Sequence, residues 1–264
     1  MLSGILHIDS QQYPQTEDVM SYSDSINWEY HPPRDIGTTM SEALRSFPRE
    51  PKMLIYCIRS IAALLLRSWL RLYHRLRIEG RENLPKHGSY VLVCNHTSHL
   101  DALCLMSSVP FGKINQTFPA AAADYFFSNL TRTAASAILL NALPFERKTN
   151  GAQSLSACSK LLHDEGNILI LFPEGTRSAT GEMGRFRSGI GRLVAGTEIA
   201  VVPCHLDGAL EAWPKGKGFA SPRRLRLRIG SPRTYTQRAK TQESVGEICQ
   251  DLQQSVEKLG MLEE

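Results

Sequence analysis

Two short segments carry side chains able to do chemistry. In Asn95-His96-Thr97-Ser98-His99-Leu100-Asp101 an imidazole precedes a carboxylate by five residues. That spacing does not put both on one face of a regular helix. It works if His96 sits in a loop and Asp101 in the first turn of the helix that follows, with Thr97 or Ser98 as the cap. The carboxylate then folds back onto one ring nitrogen, fixes the tautomer and raises the basicity of the other. His96 becomes a general base towards a hydroxyl. A capping loop with structural histidines is the plainer alternative. A metal site is a third, since His96, His99 and Asp101 are possible ligands, but no remote Cys/His cluster completes a shell.

The other segment is Phe172-Pro173-Glu174-Gly175-Thr176-Arg177-Ser178. Pro173 stops a strand, and Gly175 allows a tight turn with exposed backbone N–H groups. Arg177 offers a guanidinium fork suited to phosphate. Glu174 is expected to orient Arg177 or to accept from a substrate hydroxyl. A Pro-Gly turn with one surface arginine is the structural alternative. It is not a nucleotide P-loop, because no Gly-x-x-x-x-Gly-Lys precedes a helix. A serine nucleophile is not supported either, since no Gly-x-Ser-x-Gly elbow stands near a strand end.

Both segments directly follow apolar runs, and this is where a parallel sheet gathers its active groups. Tyr90–Cys94 (YVLVC), Asn167–Phe172 (NILILF), Ile199–Pro203 (IAVVP) and Leu225–Ile229 (LRLRI) read as four strands. Helical stretches lie between or after them at Ala152–His163, Ser188–Gly196 and Gln242–Leu259, the last stopped by Gly260. Strands separated by helices predict an α/β fold with a mostly parallel sheet flanked by helices on both faces.

Upstream, residues 53–77 place Leu54, Ile58, Ile61, Leu65, Trp69, Leu72 and Leu76 at spacings of 4, 3, 4, 4, 3 and 4, one helical face. Arg59, Arg67, Arg71 and Arg75 fall on the other side with no acid among them. The longest run between arginines is Ser60–Leu66, too short for a charge-free span. The pattern predicts an amphipathic membrane-interface helix over 51–77, or else a surface helix packed on its own domain. Residues 1–50 read as an acidic N-terminal arm of no assigned role, with one short helix near Met40–Phe47, and 78–264 as the catalytic domain.

Composition fits that picture. The 264 residues are 42% hydrophobic and 21% charged, enough chain for a core without staples. A mean hydropathy of −0.22 excludes a multi-span membrane protein. The arm holds 8 acidic and 3 basic residues, net −5; the remainder holds 27 basic and 18 acidic, net +9. A body this basic favours an anionic partner. Residues 213–238 concentrate the charge in Lys215, Lys217, Arg223, Arg224, Arg226, Arg228, Arg233 and Arg238, with no acid. Arg226 and Arg228 share one strand face. An anionic partner is the expected contact, against a merely solvated face. No nucleic acid is expected, because aromatic residues do not alternate with these cations. The six cysteines have no Cys-x-x-Cys spacing and read as reduced core thiols. The N-terminus lacks the pattern of a signal peptide.

Taken together, these segments resemble the glycerolipid acyltransferase family, the lysophosphatidic acid acyltransferases and their glycerol-3-phosphate relatives. The family's His-x-x-x-x-Asp block resembles Asn95–Asp101, and its Phe-Pro-Glu-Gly-Thr-Arg-Ser block is matched residue for residue by Phe172–Ser178. Its apolar block ending in Arg resembles Asn141–Arg147, although Asn141 stands where a Gly often does; its strand ending in Pro resembles Val201-Val202-Pro203. The resemblance covers roughly residues 78–232. It implies transfer of a fatty acyl group from acyl-CoA or acyl-carrier protein to a lysophospholipid hydroxyl, most simply 1-acyl-sn-glycerol 3-phosphate. His96 and Asp101 would be catalytic, and Arg147, Glu174, Gly175, Thr176 and Arg177 would bind substrate. No cofactor, metal or covalent acyl-enzyme is implied. The enzyme would sit on an anionic membrane surface, peripheral or monotopic, at the cytoplasmic face. A non-catalytic lipid-binding protein on the same scaffold, or another lysolipid as acceptor, is the alternative.

Overall fold

The computed structural model of the chain describes residues 53–122, 137–145 and 151–262. The acidic arm with its short helix, and Arg147, lie outside the described residues.

Among the described residues seven strands form one sheet: β1 (Arg77–Glu79), β2 (Tyr90–Cys94), β3 (Thr117–Ala122), β4 (Leu143–Phe145), β5 (Ile168–Leu171), β6 (Ala200–Asp207) and β7 (Arg226–Ile229). Their order is β1-β7-β6-β2-β5-β3-β4. Every pair is parallel except β6–β7. Six helices accompany them among the described residues: α1 (Met53–Leu72), α2 (Leu100–Ser108), α3 (Gly151–His163), α4 (Ser188–Val194), α5 (Ala209–Ala212) and α6 (Gln242–Gly260).

The central strands show why no polar alternation is visible in the sequence. On β5, Ile168 and Ile170 point into one core with Leu70, Leu100, Leu105 and Ala209, so α1, α2 and α5 cover that face. Leu169 and Leu171 point into a second core with Cys158, Ile190, Leu193, Ile248 and Leu252, from α3, α4 and α6. A strand covered on both faces needs apolar residues at every position. The four predicted strands are all present. The sequence reading missed β1, β3 and β4. Two of these are three residues long, and β3 (TFPAAA) carries a proline at the sheet's side.

Two expectations change. The predicted helix over 51–77 is helical over Met53–Leu72, and its orientation is informative. Leu54, Ile61, Leu64, Leu65 and Leu72 face outward, 53–78% exposed, as the interface reading requires. Its arginines do not share an opposite solvated face, however. Arg59 is buried, donating to the Ile138 and Ala137 carbonyls and to Asn115 Oδ1, and Arg67 donates to the Val109 carbonyl. The side packed on the body runs Arg59, Ala63, Leu66, Leu70. At about 1.5 Å per residue the helix is also long and apolar enough to cross a bilayer, by length and composition alone.

The basic strand face of β7 is the second change. Arg226 and Arg228 meet Glu79 at 3.5 and 3.6 Å, and Arg228 also binds Asp207. Arg233 and Arg238 pair with Asp251 and Glu247 on α6. Four of the eight cations between 213 and 238 thus answer acids brought to them by the fold. Five of the six cysteines are buried and all six are free thiols, with Cys57 exposed.

Candidate active site

β2 and β5 are adjacent and parallel, with Val93 opposite Leu171. The loops that leave their carboxyl ends therefore meet, and each carries one of the two motifs. The His96 ring stacks on Phe172, centroids 4.1 Å apart and planes 15° apart. Ser178 N–H donates to the His96 carbonyl at 2.7 Å. Asn95 ties the same loop to β6, donating to the Leu206 carbonyl at 3.1 Å and accepting from its N–H at 2.9 Å.

Asp101 stands in the first turn of α2, 1% exposed. Its Oδ2 lies 2.8 Å from His96 Nδ1 and accepts from Thr97 N–H at 2.7 Å and Ser98 N–H at 2.8 Å. Thr97 and Ser98 were expected to cap α2. His99 is the cap residue instead, without a side-chain bond, while Ser98 Oγ accepts from Leu100 N–H at 3.2 Å. The carboxylate reaches backward to the loop, so it holds the loop and the ring together. An ionised carboxylate only accepts, so Nδ1 is the donor and the neutral ring keeps its lone pair on Nε2. The His96 side chain is 22% exposed.

Glu174 does something other than expected. It is 6% exposed, and both its oxygens are used: Oε1 accepts from His96 N–H at 2.7 Å and Oε2 from Gly184 N–H at 2.8 Å. Burial pushes its carboxyl above the usual range, while the Gly184 and His96 N–H groups pull it back. Through Oε1 it braces one motif against the other. Gly175 has φ of 75°, and a Cβ there would lie 2.8 Å from Arg187 Nε. Strain and the guanidinium both select glycine.

His96 opens onto a cavity of about 820 Å³. Its lining includes the apolar residues Pro119, Ala120, Leu140, Phe145, Leu155 and Ile190. Gly175, Thr176 and Arg177 line it, together with three cations outside the sequence motifs, Arg187, Arg192 and Lys215. No acid lines it. Arg187 belongs to no motif. Its position follows from its bonds, N–H to the Pro173 carbonyl at 3.0 Å and Nε to the Glu174 carbonyl at 3.1 Å. In the sequence it is only the second arginine of Arg185-Phe186-Arg187, directly before α4.

His99 packs against Trp213, centroids 5.6 Å apart. Burial, then the Arg177 and His96 charges, push its imidazole down to about 4, partly countered by Asp101. It is neutral near pH 7. His96, His99 and Asp101 do not converge as metal ligands, and no other His/Cys/Asp/Glu trio does so among the described residues.

Comparison with known proteins adds what the geometry leaves open. The protein-family model described as Acyltransferase matches residues 75–207, half of the chain. The chain is 33% identical over 165 residues to the chloroplastic 1-acyl-sn-glycerol-3-phosphate acyltransferase LPAT1 of Arabidopsis thaliana, covering 61% of this chain and 44% of that one. It is 28% identical over 162 residues to the mouse (Mus musculus) 1-acyl-sn-glycerol-3-phosphate acyltransferase alpha, covering 60% and 54%. The chain thus spans about half the length of these relatives. The crystal structure of the 1-acyl-sn-glycerophosphate acyltransferase PlsC from Thermotoga maritima superposes with a TM-score of 0.56 at 22% identity, covering 78% of this chain and 81% of that one, a likeness of fold. The matched segment begins just ahead of β1 and ends with β6, enclosing both motif loops, and the chain belongs to the acyltransferase family.

Proposed function

We propose that the chain transfers a fatty acyl group from an acyl thioester, acyl-CoA or acyl-carrier protein, to the free hydroxyl of 1-acyl-sn-glycerol 3-phosphate, giving phosphatidic acid. The observation that carries this reading is a carboxylate-backed imidazole opening onto a cavity whose described lining combines apolar side chains with four cations and no acid. An acyl chain and a phosphate are what such walls accept.

His96 Nε2 takes the proton of the acceptor hydroxyl as its oxygen attacks the thioester carbonyl. The tetrahedral intermediate collapses, the C–S bond breaks, and the imidazolium returns the proton to the departing sulfur. Ester and free thiol are the products, with no covalent enzyme intermediate. Asp101 holds the Nδ1–H tautomer and stabilises the transient imidazolium. Arg177 holds the acceptor phosphate, with Arg187 lining the same cavity; Arg147 is assigned the same role from the sequence. The relatives' names, 1-acyl-sn-glycerol-3-phosphate acyltransferases, support the acceptor. The exposed apolar stripe of α1 supports docking on a leaflet, with α1 lying in the interface and the body held to it by Arg59 and Arg67.

The test is a two-way screen by mass spectrometry, with acyl-CoA and acyl-carrier protein as donors. Acceptors are 1-acyl-sn-glycerol 3-phosphate, glycerol 3-phosphate and a zwitterionic lysolipid. Phosphatidic acid as the main product supports the reading. Vesicle binding with no acyl transfer to any acceptor supports a lipid-binding protein instead.

A further inference from the structure

The loop between α5 and β7 gives the cavity one cation, Lys215, and its remaining residues have no part in the chemistry above. Its tip is Phe219, 88% exposed, the most exposed large apolar side chain described. Lys215, Lys217, Arg223 and Arg224 surround that tip, all exposed, and no acid lies between Trp213 and Leu225. Finally, the loop is built rather than loose. Trp213 Nε1 donates to the Lys217 carbonyl at 2.8 Å, Lys217 N–H to the Pro214 carbonyl at 3.2 Å, and Ser221 N–H to the Ala212 carbonyl at 2.8 Å. Lys217 Nζ reaches Ser221 Oγ at 3.2 Å. A Cβ added at Gly216 or Gly218 would touch nothing within 4 Å, so the tip projects into open space.

Its place in the fold matters as much. Tyr73 Oη, just past the end of α1, donates to the Ala220 carbonyl at 3.1 Å, and Leu225 N–H donates to the His74 carbonyl at 3.1 Å. The loop is thereby lashed to the end of the helix whose outward apolar stripe runs through Ile61 and Leu65 to Leu72, 78% exposed. At its other end Lys215 lines the cavity. Unlike Arg226, Arg228, Arg233 and Arg238, these four cations form no ion pair with an acid among the described residues.

The geometry points to residues 214–224 as a second membrane contact, which inserts Phe219 into an anionic leaflet while Lys217, Arg223 and Arg224 bind lipid phosphates, and so sets the cavity mouth against the bilayer. This rests on the reading that the chain works at a membrane. An aromatic tip among cations is the chemistry of an anionic interface, where apolar burial and charge attraction act together. An acidic carrier protein would use the cations but leave the exposed phenyl ring without a partner.

The full chain is floated with vesicles of phosphatidylcholine alone, or of equal parts phosphatidylcholine and phosphatidylglycerol. Phe219→Ala is expected to weaken binding several-fold on both, and Phe219→Trp to preserve it. Lys217→Gln with Arg223→Gln and Arg224→Gln is expected to weaken binding on the order of 100-fold on anionic vesicles only, at about fivefold per cation. Amide exchange at 214–224 in the unmodified chain is expected to slow on anionic vesicles. Loop variants that bind like the unmodified chain, with exchange unchanged, overturn the loop contact and leave α1 as the anchor. An unmodified chain that binds neither vesicle overturns the membrane reading itself. A charge variant impaired only with an acyl-carrier-protein donor, while vesicle binding persists, assigns the loop to that protein instead.

Discussion

At the scale of single residues, the site is a set of carboxylates with different tasks. Asp101 accepts three hydrogen bonds on one oxygen and serves the imidazole. Glu174 joins the two motif loops through Oε1 on His96 N–H and holds Gly184 N–H through Oε2. Glu174→Gln keeps the volume but turns a donor towards one of two backbone N–H groups. The expected cost is about 1–3 kcal/mol in urea melts, since a buried donor is left without an acceptor. Activity falls with it, because the His96 main chain is one of those donors. His99 predicts a pH effect whose sign is fixed by its depressed pKa, about 4 against an ordinary 6.5. Above 6.5 the imidazole is neutral folded and unfolded. As pH falls towards 4, the unfolded chain takes up the proton first, and stability is lost. His99→Gln removes that contribution, so the melting-temperature difference between the unmodified chain and the variant should change over this window and be flat above it. A constant difference from pH 7 to 4 would show the ring is not held neutral.

At the scale of elements, α1 joins the body by polar anchors inside an otherwise apolar contact. Arg59→Ala leaves two carbonyls and Asn115 Oδ1 without their donor, and is expected to cost about 2–4 kcal/mol by denaturant unfolding. Ile61→Glu with Leu65→Glu falls on the outward face and should leave unfolding within about 0.5 kcal/mol while vesicle binding is lost. If the order of the two effects is reversed, the outward face has been misassigned. Much of this scale was legible in advance. Tyr90–Cys94 and Ile168–Leu171 declare themselves because both faces of a central strand are covered, leaving unbroken apolar runs. Arg77–Glu79 and Leu143–Phe145 are too short to show a period, and their pairing is decided by long-range partners. The orientation of α1 was half legible. Its outward stripe follows from spacing, but a buried arginine cannot be told from a solvated one until its carbonyl acceptors, almost eighty residues away in sequence, are in place.

At the scale of the whole molecule, the sheet order decides the chemistry. β2 and β5 are neighbours although more than seventy residues separate them, and this brings His96 onto Phe172 and Glu174 beneath His96. The motif residues could be found in the sequence, but Arg187, Arg192 and Lys215 could not, because only the closed fold turns them towards one cavity. The basic body divides along the same line. Arg226, Arg228, Arg233 and Arg238 hold strands and α6 together, whereas Lys215, Lys217, Arg223 and Arg224, at the loop beside α1, have no ion pair with an acid among the described residues.

The central claim, that His96 backed by Asp101 removes the proton from the acceptor hydroxyl, is tested most directly by thiol release from acyl-CoA with 1-acyl-sn-glycerol 3-phosphate. Asp101→Asn and His96→Ala are compared with the unmodified chain, all checked for unchanged circular dichroism. The expected result is a loss of about 10³–10⁴-fold in kcat for each, with the double variant little worse than either, since the two groups act as one unit. Folded variants that release thiol at the unmodified rate would contradict it.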